Sequence, residues 1–255
     1  YRLGCIITNC CEVGAIGDTL AILRAASETM LAGRVFSTFG CHPMNCEEYD
    51  DDYESKLLQA FEDCGDEAVA WGECGLDYAK LWDADSEERG LMVAVFARQA
   101  KLAVARGLPL VVHARDADAD TLRVLREHVP AQHPVHIHAY QGSLHFLAWC
   151  LEAMPNSIFG ASSLVFNPGS NASEIVRHCP LDRLVLESDA PFLSEEPRDV
   201  PQLAARVGEL KGVSTERVLE VTSRVCMRFY RAGFKDGAAT VAPAAPGGDE
   251  PPRSW

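Results

Sequence analysis

Positive charge is scarce in this chain: 23 Lys and Arg stand against 37 Asp and Glu, a formal net charge of −14 over 255 residues. A surface so acidic does not attract nucleic acid nonspecifically, because gripping phosphates takes clustered Lys and Arg. Any polyanion has to be handled locally. No apolar run reaches membrane-spanning length, and no cleavable leader is visible. The ten cysteines form no CxxC pair. Two of them, Cys10 and Cys11, are adjacent, and the rest show no framework spacing, so disulfides are not the expectation. Reduced, mostly buried thiols in a cytoplasmic or nuclear protein are. With 47% hydrophobic residues, the chain can bury one large core. An α/β barrel of this size is routinely one domain. That domain is expected over residues 1–235, with the Ala-, Pro- and Gly-rich residues 236–255 as a disordered tail.

What is present is organised around residues 68–78, AVAWGECGLDY. The run Ala68-Val69-Ala70-Trp71 is too short for a helix and is punctuated by Gly72 and Gly75, which predicts a buried strand entering a tight loop with Glu73 where the strand ends. Similar short apolar runs lie near Cys5, Phe36, Val111, His136, Ile158 and Val185. Helical patterns separate them, including one opened by Asp18, one over Tyr53–Asp63 and one opened by an Asp85/Glu88 capping box. A last helix opened by Ser214 carries Val218, Val221, Val225 and Phe229 on one face. Alternation of strand and helix indicates a parallel sheet with right-handed crossovers. Seven strands are counted where a barrel closes at eight, and the first strand comes at once, so the expectation is a (β/α)8 barrel lacking its first strand. The acidic run at residues 47–54 lacks the glycine and alternating ligands of a calcium loop and reads as a solvated loop entering a helix.

Polar residues gather at strand ends: His42, Glu73, His113, His138 and Asp189. A barrel would bring all five to one mouth. A carboxylate there loses water and needs a counter-charge, which a metal ion or Arg115 can supply. Imidazoles and carboxylates around one point suit Zn²⁺ or Mn²⁺, and the carboxylates are compatible with Mg²⁺. His128, His133, His145 and His178 fall on helices or loops and take a structural reading. His136 shares the strand face of His138 and stays an open candidate.

Five ordered segments carry a resemblance: Gly40-Cys41-His42-Pro43, Gly72-Glu73-Cys74-Gly75-Leu76-Asp77-Tyr78, His113-Ala114-Arg115-Asp116-Ala117, His138-Ala139-Tyr140-Gln141-Gly142 and Glu187-Ser188-Asp189-Ala190-Pro191. Together they resemble the motifs of the TatD family of metal-dependent deoxyribonucleases, from about Gly4 to Phe229. The resemblance implies a metal-dependent hydrolase barrel with two metals, Glu73 bridging them, His113 and His138 completing one site, and Asp189 belonging to the other. An HxH pair on the family's first strand is not found ahead of Gly4, which leaves the expectation of one ion in this chain, or two.

A divalent metal makes hydroxide available at neutral pH and offsets phosphoryl charge. Within that scheme Asp189 orients or deprotonates the water, Arg115 contacts the phosphate, and His42 donates to it or to the leaving oxygen. The competing reading for these last two is structural, with Arg115 paired to Asp116 or Asp77 and His42 fixed by Pro43. The expected substrate is DNA, single-stranded or at strand ends. Two other functions stay open: hydrolysis of a small ester, amide or phosphoester, and a catalytically silent interaction module.

Overall fold

The computed structural model describes residues 4–79, 86–194 and 196–230. Seven strands lie among them: β1 (Ile6–Cys10), β2 (Val35–Phe39), β3 (Ala68–Asp77), β4 (Leu110–Arg115), β5 (Val135–Ile137), β6 (Ser157–Ala161) and β7 (Leu184–Leu186). All pair in parallel and in chain order, β1 to β7. Among the described residues this is the curled, seven-stranded parallel sheet expected of a (β/α)8 barrel short of its first strand. Helices α1 (Ile16–Ser27), α2 (Asp51–Cys64), α3 (Ser86–Arg106), α4 (Asp118–His128), α5 (Leu144–Ala153) and α6 (Ala172–His178) fill the crossovers. Two more, α7 (Val200–Lys211) and α8 (Thr215–Tyr230), follow the last strand.

Alternation along the strands divides the core in two. Val35, Leu110, Val112, Val135, Ile137 and Phe159 face the outer helices, in one large cluster. Phe36, Ala70, Val111, Ile158 and Val185 form a second cluster inside the curl, and its remaining volume is filled by Val221, Val225, Phe229 and Tyr230 of α8. Burying each such side chain contributes about 1.5–3 kcal/mol. Helix α8 packs on β7, and its Cys226 thiol is hydrogen-bonded to Cys5 just before β1, so the helix touches both margins of the sheet.

Several local expectations need adjustment. Asp18 does not cap α1; it lies in the first turn, where its charge favours the helix dipole, and Ala15 holds the cap position. Asp85, the proposed cap of α3, and the tail at 236–255 lie outside the described residues. Helix α7 was not foreseen, although it has Pro201 in its first turn and Gly212 at φ 68 just after its end. Strand β3 does not stop at Glu73 but runs to Asp77, buried throughout.

Candidate metal centre

The longer β3 is what aims Glu73. Trp71 pairs with Leu110 and Cys74 with Val112, so Gly72 and Glu73 together oppose the single residue Val111. That is a β-bulge, which re-aims a side chain and bends the strand. Gly72 makes it feasible: its φ is +139, and a Cβ there would lie 2.5 Å from the Val111 carbonyl oxygen.

Around the buried Glu73 carboxylate the structure gathers three imidazoles. His113 Nδ1 lies 2.5 Å and His138 Nε2 3.6 Å from Glu73 Oε1. Donor atoms of His42, Glu73 and His113 all lie within 4.8 Å of one another, and the rings of His42 and His113 meet edge to face at 4.5 Å. Asp189 joins from the other side, its Oδ1 3.5 Å from His138 Nε2. Burial raises the Glu73 carboxyl, but His138, His113 and His42 outweigh it and hold it down at about 2. In His138, burial pushes the imidazole down while Glu187 and Glu73 pull it well above the usual range.

Arg115, the other possible counter-charge for Glu73, turns elsewhere: its Nη1 donates to the carbonyls of Ala114 at 2.9 Å and His138 at 3.4 Å. The competing structural reading, Arg115 paired with Asp116 or Asp77, is not what these bonds show. A carbonyl-anchored guanidinium does not neutralise Glu73. His42 accepts the Met44 N–H at Nδ1, 3.2 Å away, and caps the short 3-10 turn Pro43–Glu48. An imidazole accepting at Nδ1 carries its proton at Nε2, which suits His42 to donate rather than to ligate.

Behind the two histidines stand carboxylates whose roles the sequence did not reveal. Asp77 Oδ2 lies 3.0 Å from His113 Nε2. Glu187 Oε1 lies 2.9 Å from His138 Nδ1 and 3.1 Å from His136 Nε2, while its Oε2 accepts the Ala139 N–H at 2.8 Å. His136 Nδ1 in turn meets the Tyr230 hydroxyl of α8 at 2.5 Å. His136 therefore belongs to the support of His138. The only advance signals for these partners were their places inside the quoted motifs: Asp77 four residues after Glu73, and Glu187 two before Asp189.

The donor set fits a divalent ion. Two buried imidazoles, each held by an outer carboxylate as proteins orient histidine ligands, converge on a third carboxylate that meets no guanidinium among the described residues. Fold and donor set together define a class, the parallel α/β barrels that gather metal-binding side chains at the carboxyl ends of their strands.

Comparison with known proteins narrows the class. Residues 3–231 match the profile of the family described as TatD related DNase, and the chain belongs to that family. It is 35% identical over 200 residues to the human 3'-5' RNA nuclease TATDN2, covering 78% of this chain and 25% of that protein, so it spans about a quarter of that relative's length. It is 31% identical over 200 residues to the 3'-5' ssDNA/RNA exonuclease TatD of Pantoea vagans, covering 73% of this chain and 74% of the other. Among solved structures, a TatD family hydrolase from Entamoeba histolytica superposes with a TM-score of 0.80 at 18% identity, over 90% of this chain and 85% of that one, and shares the fold.

Proposed function

We propose that this domain is a metal-dependent deoxyribonuclease that hydrolyses phosphodiester bonds from the ends of single-stranded DNA. The observation that carries the reading is the buried Glu73 carboxylate, with His113 at 2.5 Å, His138 at 3.6 Å and donor atoms of His42 within 4.8 Å. Glu73, His113, His138 and Asp189 would hold one or two divalent ions, and the mixed nitrogen and oxygen donors suit Mn²⁺ or Zn²⁺ as well as Mg²⁺. When bound, such an ion supplies a nucleophile at neutral pH and positive charge for the phosphoryl oxygens.

The chain's own residues supply the rest. Asp189, half-buried beside His138, accepts a proton from the attacking water. His42 donates its Nε2 proton to the phosphate or the leaving oxygen. Arg115 uses Nη1 for its bonds to the Ala114 and His138 carbonyls, and the remaining N–H groups of the guanidinium fork serve a phosphate oxygen. Asp77 and Glu187 keep the two ligand rings oriented.

The test is a panel of end-labelled single-stranded DNA, duplex DNA, single-stranded RNA and an aryl ester, each offered to manganese-loaded protein. Stepwise shortening of single-stranded DNA is expected, and Glu73→Gln should lose at least about a hundredfold in rate, as removal of a key charge-stabilising group does. Ester turnover with no shortening of any nucleic acid would move the protein to the small-substrate hydrolases. Failure to retain manganese, with no turnover of anything on the panel, would overturn the enzyme reading.

A further inference from the structure

Among the described residues, phenylalanine is a core residue with two exceptions. Seven of the described phenylalanines are buried, whereas Phe166 is 53% and Phe192 84% exposed. Leaving such a ring in water forgoes about 1.5–3 kcal/mol of burial, so two on one rim ask for an explanation. Both lie at the carboxyl end of the sheet. Phe166 ends the 3-10 turn Ser163–Phe166 that follows β6, and Phe192 follows β7.

Phe192 is fixed close to the reacting centre. Its N–H donates to the Asp189 carbonyl at 2.8 Å, and Leu193 N–H donates to the same oxygen at 3.0 Å. A turn closed that tightly keeps the Cα atoms at its two ends within about 7 Å of each other, so the Phe192 backbone is held close to that of Asp189. The β6 and β7 loops are tied together where the Ser163 hydroxyl donates to the Leu193 carbonyl at 2.5 Å. Between them opens a cleft of about 210 Å³ whose lining includes Phe166, Leu193 and Glu187, the carboxylate that braces His138. Phe166 and Glu187 thus border this cleft, and Phe192 stands on the adjoining turn, next to the lining residue Leu193.

We infer that Phe166 and Phe192 form a nucleobase-stacking subsite for the terminal residues of a single strand. This rests on the nuclease reading and specifies how its substrate is held. A chain of net charge −14 cannot draw its affinity from many phosphate contacts. Stacking needs no charge, accepts any base because every base has a flat face, and is open only to bases not already paired. It therefore selects unpaired ends, the substrate form the centre is proposed to cut.

Binding of a fluorescent trinucleotide with phosphorothioate linkages, compared with its abasic counterpart, tests the subsite on the purified full chain without turnover. Wild type should bind the base-bearing oligomer at least about tenfold more tightly. Phe192→Ala should remove most of that difference, Phe166→Ala part of it, and Phe192→Trp should restore it, with the melting temperature unchanged in the Phe192 variants because that ring is 84% exposed. Equal affinity of wild type for the two oligomers would overturn the subsite, as would an equal loss for both in the alanine variants. Base-dependent binding without any strand shortening by the manganese-loaded enzyme would leave the subsite standing and remove the nuclease reading. Strand shortening with base-independent binding would do the reverse.

Discussion

His133 and His138 are both buried, and their surroundings push them in opposite directions. His138 faces three carboxylates, Glu73, Glu187 and Asp189, whereas among the described residues His133 has no charged partner: its ring donates to the Leu108 carbonyl and its Nε2 has no hydrogen-bond partner. Burial alone lowers its imidazole below the usual range. The unfolded chain then binds the proton more readily than the folded one, so stability is full above the ordinary imidazole pKa of about 6.5 and falls as pH drops through it. Urea midpoints at pH 7.5 and 5.5 should therefore differ less in His133→Leu than in the wild type. An unchanged pH response would show that the proton is taken up elsewhere.

Elements rather than residues decide how the centre is held. Strand β3 supplies Glu73 from a bulge and Asp77 from its end, β4 supplies His113, and the segments after β5 and β7 supply His138 with its brace Glu187. Strand β6 contributes an absence. A Cβ on Gly160 would lie 1.6 Å from Glu187 Oε2, so that carboxylate occupies space only glycine leaves open. Gly160→Ala and Glu187→Gln should each weaken manganese binding by about 10–100-fold, the usual effect of losing an outer partner of a histidine ligand. Calorimetric titration reads this directly, and wild-type affinity in both variants would show that Glu187 does not orient His138.

For the molecule as a whole the dominant fact is its acidity. Each phosphate neutralised by a protein cation gives a salt slope of about −0.7 on single strands. With Arg115 as the one permanently charged side chain assigned to the phosphate, the log–log slope for single-stranded oligomer binding between 50 and 200 mM salt should be shallower than about −1.5. Titrations at several salt concentrations check it. A slope several times steeper would reveal a cationic track across the acidic surface and undo the argument that bases, not phosphates, supply the affinity. The described residues contain no helix long and apolar enough to cross a membrane.

By itself the sequence determined the parallel alternation of strand and helix and the gathering of His42, Glu73, His113, His138 and Asp189 at one end of the sheet. Both follow from short-range rules: strands this short and apolar must be buried, and a parallel sheet puts all its strand ends on the same side. Tertiary structure alone decided what depends on pairing and on neighbours distant in the chain. The bulge that turns Glu73 inward exists only because β3 is paired with β4, and the division of labour between His136 and His138 is set by Glu187 and Tyr230, 49 and 94 residues away. A pattern read along one chain records which residues are apolar and how often. It does not record which carboxylate will stand behind which ring, because that is fixed when packed strands bring the two within 3 Å.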